Sequence, residues 1–260
     1  LLYHVRRKTV LFSIAYPEIQ DKQIENAINI LKEKGYFGVN VSFQYVDYNN
    51  IPMYERFYSK YVTRLYEEGF YAFETINPNI TFTNGEINFE RIDYTIVNQL
   101  ARNIIFFRNK SAFATEPPSP ITSIHVVETY LNYLEEFIPT DKIVIGAVTH
   151  GTDWELPFYA GISDVNLLSF ERVLDLARFH EATIYFDEES QTPFFRYSID
   201  RGEKQVEHIV WFIDARTISA WLDLVKEHEL LGTAIWNIMI YNPQFWLMIN
   251  SQFEIEKFSP

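Results

Sequence analysis

Asn40, Ser42 and Gln44 follow one another at intervals of two in the stretch GYFGVNVSFQYV, residues 35–46. On a β-strand that spacing sets all three side chains on one face. Their chemistry is hydrogen bonding without proton transfer: the Gln44 amide donates and accepts but has no proton to give up, and the Ser42 hydroxyl cannot hold charge against a developing cation. Two carboxylates stand nearest to a strand end that could use them, Glu74 by strand parity and Glu116 in a loop, and each is first of all a solvated surface acid. His150 falls at the end of a strand, where a lone histidine is more often a hydrogen-bonded structural residue than a base or ligand. Other chemistries lack their signatures. There is no Gly-x-Ser-x-Gly elbow, Gly-rich phosphate loop or His-Glu-x-x-His, and the six histidines lie scattered at 4, 125, 150, 180, 208 and 228. The absence of cysteine removes disulfides, thiolate nucleophiles and Cys-ligated zinc together. No cofactor and no metal are expected.

These residues need a frame, and the chain alternates short β-branched or aromatic runs with longer amphipathic stretches, the pattern of parallel strands joined by crossover helices. Strands are expected over 9–15, 37–43, 70–76, 103–108, 142–148 and 233–238, and helices over 22–34, 53–68, 93–101, 124–137 and 218–228. Gly35 and Gly69, each just before a strand, sit where a helix end wants a residue that tolerates left-handed backbone. Residues 182–212 break the rhythm: YFDEE, FFRYSID and VEHIVWF are separated by turn residues in antiparallel style. They read as an insertion before the last strand, within an insertion subdomain of about 155–212. The Pro-rich run at 114–120 follows a strand's C-terminal end, which in a barrel is the functional face. A chain of 260 residues is expected to form one domain.

Composition narrows the partners. With 47% hydrophobic and 22% charged residues the chain is an ordinary packed globule. A net charge of −13 repels a phosphate backbone, and Val5-Arg6-Arg7-Lys8 is the longest basic stretch, so nucleic acid is excluded as a partner. No apolar run approaches the roughly 18 to 20 residues of a membrane span, and the opening residues lack the basic-then-apolar order of a signal peptide. Aromatics reach 17%; most belong to the core, though their faces also stack on sugar rings. The sequons at Asn79 and Asn109 carry no weight.

Five stretches, in order, resemble glycoside hydrolase family 18, especially its bacterial branch of spore-cortex and peptidoglycan N-acetylglucosaminidases, often linked to LysM modules. They are GYFGVNVSFQYV (35–46), FIPTDKIVIGAVTHGTDWELPF (137–158), PFFRY (193–197), VWFIDARTISAWLDLVKEHELLGTAIWNI (210–238) and NPQFW (242–246). The resemblance implies an α/β fold, a TIM-type (β/α)8 barrel, of which the six strands above match the third to the eighth. The first two units are then either obscured in the sequence or lacking.

In that family a glutamic acid at the end of the fourth strand protonates the leaving oxygen, and the substrate's own N-acetyl group attacks with help from an aspartate two residues earlier. The four acidic positions of the family's DxxDxDxE read here Phe37, Asn40, Ser42 and Gln44. The family's Met-x-Tyr-Asp reads Ile105-Phe106-Phe107-Arg108, which loses the tyrosine hydroxyl at Phe107 and replaces an acid by a base at Arg108. Arg108 would bind an anionic group or serve as an ion-paired structural residue. Trp236 matches the tryptophan that floors the sugar subsite by stacking, and Asp153 and Trp154 match a loop that lines the cleft.

The resemblance therefore implies a catalytically inactive, chitinase-like protein that binds N-acetylglucosamine-containing glycan, chitin or peptidoglycan of the spore-cortex type. Substrate-binding residues would be Trp236, Asp153, Trp154, Gln44 and Arg108. Two other readings stay open: a structural protein of a spore coat or cell envelope, its cleft closed by Phe37, Phe106 and Phe107, or a hydrolase whose acid has moved to Glu74 or Glu116. An oligosaccharide or polysaccharide ligand, protein partners in an envelope or coat assembly, and an extracellular, envelope or spore-surface location follow from the resemblance in the same way.

Overall fold

The computed structural model describes residues 2–4, 14–42, 50–78, 80–83, 86–89, 91–108, 117–202 and 204–255. In chain order its elements begin with β1 (Leu2–His4), α1 (Pro17–Lys34), β2 (Gly38–Ser42), α2 (Ile51–Glu67) and β3 (Tyr71–Ile76). A hairpin of β4 (Ile80–Thr83) and β5 (Glu86–Phe89) precedes α3 (Thr95–Leu100), β6 (Asn103–Phe107), α4 (Ile124–Leu134) and β7 (Ile143–Val148). Then come β8 (Gly151–Leu156), β9 (Val165–Leu168), α5 (Phe170–Phe179), β10 (Tyr185–Asp187), β11 (Thr192–Arg201) and β12 (Lys204–Trp211). The chain closes with α6 (Ala215–Glu227), β13 (Gly232–Trp236) and α7 (Pro243–Gln252). It divides into two compact units, one of Leu1–Phe107, Leu131–Ile145 and Glu229–Gly232, the other of Arg108–Tyr130, Gly146–His228 and Thr233–Pro260.

The first unit is built on parallel strands in the order β1, β2, β3, β6. Register pairs Leu2 with Asn40, Val41 with Glu74, and Thr75 with Ile105. Helix α1 has Pro17 in its first turn, where no amide partner is needed, Glu18 beside it, and Lys32 and Lys34 in its last turn, all aligned with the helix dipole. Gly35 ends it in left-handed backbone (φ 66°), its amide donating to the Leu31 carbonyl, and Gly69 after α2 is left-handed too (φ 83°), as their positions before strands require. Helix α2 buries an aromatic stripe at helical spacing, Tyr54, Phe57, Tyr58, Tyr61, Val62 and Leu65.

The second unit holds a five-stranded antiparallel sheet in the order β10, β11, β12, β8, β9. Helix α5 covers one face, packing Phe170, Val173 and Ala177 against Phe195, Tyr197, Val210 and Phe212. Its amino end is capped by the Ser169 hydroxyl, which accepts from the Arg172 amide. The strands of this sheet lie between Gly151 and Trp211, and α5 falls among them in an interval whose second half is strand-like in composition.

Gly151 shows how closely α5 sits: a Cβ there would meet Val173 Cγ2 at 2.6 Å and Phe212 Cβ at 3.2 Å. Gly151→Ala is expected to lower stability by about 1–3 kcal/mol through overpacking, measured by urea unfolding. A change within a few tenths of a kcal/mol would mean that α5 can shift to make room.

The strand expected at 9–15 lies mostly outside the described residues, and its last two positions, Ile14 and Ala15, are helical. The strand that pairs with β2 is instead Leu2–His4, only three residues long and so too short to show any alternation.

Candidate functional site

In the first unit, parity on β2 separates two faces. Val39 and Val41 are fully buried on one; Gly38, Asn40 and Ser42 share the other. Register carries Phe73 and Thr75 of β3, then Asn103, Ile105 and Phe107 of β6, onto the face of Asn40. Thr75 Oγ1 donates to Asn40 Oδ1 at 3.0 Å, and Ser42 is buried beside them in the strand. Among the described residues of these three strands, that face carries hydroxyl, amide, aliphatic and phenyl groups and no carboxylate. Gln44 and Glu116 lie outside the described residues. Phe107 is buried on this face, while Phe106 is buried on the opposite one. Phe37 is 69% exposed and meets the Phe73 ring edge-on at 5.8 Å, so it does not plug a cavity. Arg108 is half-buried and engaged within the protein.

Glu74 corrects an expectation. Parity within its own strand sets it at the strand ends, but the register puts it with Val41, on the face away from Asn40, where Tyr54 Oη of α2 donates to its Oε1 at 2.7 Å. The Tyr58 ring stacks on Tyr54 at 5.7 Å, and both the Tyr58 hydroxyl and Glu74 Oε2 are buried without a hydrogen-bond partner among the described residues. Burial pushes the Glu74 carboxyl up to about 8, against the opposing pull of the Tyr54 hydroxyl, so at neutral pH it is an uncharged acid in a tyrosine-lined interior. Parity within one strand states which residues share a face; only pairing with the neighbour states which face it is.

In the second unit, Trp236 ends β13 and is 43% exposed. Its carbonyl accepts from the Thr149 amide at 3.3 Å and the Asn237 carbonyl from Thr149 Oγ1 at 3.2 Å, which ties the end of β13 to the segment between β7 and β8. Next to Thr149, His150 is buried, and that burial pulls its pKa down and keeps the imidazole neutral.

Asp153 and Trp154 are both buried in the sheet, on opposite faces of β8. Tyr197 Oη donates to Asp153 Oδ2 at 2.8 Å and His208 Nδ1 lies 3.0 Å from Oδ1, so one carboxylate links β8, β11 and β12. The Tyr197 ring stacks on His208 at 4.8 Å and packs at a tilt against His180 at 4.4 Å. This geometry suits Asp153 to anchoring the sheet; among the described residues of the expected ligand-binding set, Trp236 is the exposed one. Sequence reasoning missed Tyr197 and His208 as its partners; they lie 44 and 55 positions further along the chain, and no local pattern marks them. No group of three potential metal ligands occurs among the described residues, and no described helix is long and apolar enough to cross a membrane.

A parallel α/β frame with these strand-end residues defines a class. Residues 8–239 match the model of glycosyl hydrolases family 18, and the chain belongs to that family; its fold class is α/β, of the family's TIM-barrel type. Within the family it is 28% identical over 234 residues to the cortical fragment-lytic enzyme of Bacillus subtilis, covering 90% of this chain and 53% of that protein. Among solved structures, it matches the spore cortex-lytic enzyme SleL of Bacillus megaterium with a TM-score of 0.85 at 28% identity, over 99% of this chain and 60% of that one. The SleL of Bacillus cereus gives 0.86 at 26% identity, over 100% and 60%. The chain therefore spans about half the length of the curated relatives it matches.

Proposed function

We propose that this chain binds N-acetylglucosamine-containing glycan, of the chitin or spore-cortex kind, without hydrolysing it. The observation that carries the reading is the uncharged face of β2: Asn40 is held by Thr75, Ser42 is buried beside it, and neither transfers a proton. Stacking needs no carboxylate, so Trp236 keeps its use when the acids are gone. The glycan class is inferred from the relatives, whose names speak of cortex fragments and cortex lysis. A net charge of −13 favours a neutral sugar chain over one rich in carboxylates.

The test is a calorimetric titration with N-acetylglucosamine oligomers of four to six sugars, followed by mass analysis of the ligand recovered from the cell. Binding with intact ligand is expected, and Trp236→Ala should weaken it about tenfold, the equivalent of about 1.4 kcal/mol. Cleaved ligand would overturn the inactive reading, and failure to bind at millimolar concentration would overturn the binding reading.

A further inference from the structure

We propose that this chain pairs with a second copy of itself through an aromatic face at the starts of β2, β3 and β6 in the first unit. Tyr36 and Phe37 lead into β2, Tyr66 lies in the last turn of α2 and Tyr71 opens β3. All four rings are exposed, Phe37 by 69%. The Phe37 carbonyl accepts from the Tyr71 amide at 3.0 Å, which joins the two strand starts into one surface.

Three of these rings are held in place. Phe37 meets Phe73 edge-on at 5.8 Å, and Gly38 makes the space for it: a Cβ there would lie 3.1 Å from the Phe73 ring and collide with the Tyr71 carbonyl oxygen. Tyr71 lies edge-on to Tyr66 at 6.2 Å and beneath the Arg102 guanidinium at 4.1 Å. Tyr66 Oη donates to the Leu100 carbonyl at 2.9 Å. Rings already fixed lose little freedom on docking, and tyrosine and arginine are the side chains that most often anchor a protein interface. A contiguous exposed apolar patch of this kind marks an interaction surface.

Charge selects the partner. The chain carries −13, so two copies repel each other over most of their surface. Around these rings the balance differs: Lys32 pairs with Glu68, Arg64 with Glu67 and Lys34 with Glu33, and Arg102 adds one more base. Four bases against three acids make a nearly neutral face, on which two copies meet without that repulsion. A two-fold axis then sets the same patch on both sides, each base able to face its mate's acid. A strongly basic partner would be drawn instead to the acidic remainder of the surface. Four rings and their flanking charges form an interface at the small end of the range, so the dissociation constant should be on the order of 10–100 μM. The far ends of the same strands, where Ser42 lies, stay free. Two-site attachment to a polymer would follow from the glycan reading, but the pairing itself does not depend on it.

Sedimentation velocity of the intact chain between about 5 and 500 μM tests the pairing. Dimer is expected at the upper concentrations. Phe37→Asp and Arg102→Glu, both at exposed positions and checked for native fold by circular dichroism, should each raise the dissociation constant tenfold or more, because each acts twice across the axis. Phe179→Asp, on a residue of α5 that is 82% exposed, adds the same charge on the second unit and should change it less than twofold. Monomer throughout would overturn the proposal. A dimer indifferent to Phe37→Asp and Arg102→Glu would overturn it too, as would one weakened equally by Phe179→Asp, since net charge and not this face would then govern association. None of these outcomes touches the glycan reading, which the titration decides.

Discussion

Asp153→Ala is expected to lower the unfolding free energy by about 3–5 kcal/mol, the largest single-residue effect in the second unit. The carboxylate is buried and receives two donors, Tyr197 Oη at 2.8 Å and His208 Nδ1 at 3.0 Å. Removing it loses two hydrogen bonds to a charged acceptor and strands both partners in a place water does not reach. His208 Nε2 already lacks a partner, so the imidazole would then be unsatisfied at both nitrogens. The Tyr197 phenol is pushed well up by burial and by the adjacent carboxylate, so it stays a protonated donor and does not adapt by ionising. Asp153→Asn keeps an acceptor for one partner and should cost less than half as much. The measurement is urea unfolding followed by near-ultraviolet circular dichroism, which reports the aromatic packing around Tyr197. A loss under 1 kcal/mol for the alanine variant would show that the three strands are held by the core on α5 and not by this carboxylate.

That network also marks the limit of what the sequence disclosed. The parallel strands β2, β3, β6, β7 and β13 were legible because each is a compact apolar run, and Gly35 and Gly69 punctuate two of them with the left-handed turns that end a helix. Helix α5 was not. Its stripe of Phe170, Val173 and Ala177 is helical in spacing, but it lies among strand-like runs whose hairpin pattern dominates the interval. The hairpin of β4 and β5 was missed as well, although Asn84-Gly85 between alternating residues is a strong local signal for one. At the site, the shared face of Asn40 and Ser42 follows from a spacing of two, a local property. What closes around that face is not local: Thr75 reaches Asn40 across 35 residues. Glu74 failed for the same reason, since its side of β3 is decided by pairing with Val41.

Glu74→Gln is expected to stabilise the protein increasingly as pH rises above the ordinary carboxylate range. The folded carboxyl sits near 8 and an unfolded one near 4.5, so between those values the folded state binds a proton that the unfolded state releases. The unfolding free energy of the wild type must then fall with rising pH, by about 1.4 kcal/mol per unit at most. The contribution of Glu74 is whole below about 4.5 and has been lost once the pH passes through 8. Over the roughly 2.5 units to pH 7 the difference reaches as much as about 3 kcal/mol. The glutamine side chain of this variant is a near-isostere that still accepts from Tyr54 and cannot ionise, so its curve lacks this slope while other groups titrate alike in both proteins. Tyr54 and Tyr58 do not offset the effect, because burial and the nearby carboxyl push both phenols well above their usual range and keep them protonated throughout. Urea unfolding of the two proteins at intervals from pH 4 to 9 gives the difference curve directly. A flat difference would mean that Glu74 ionises in the folded protein as freely as in the unfolded chain, with water reaching the space between β3 and α2; a rise that saturates near 8 is what a carboxyl kept neutral by its burial must produce.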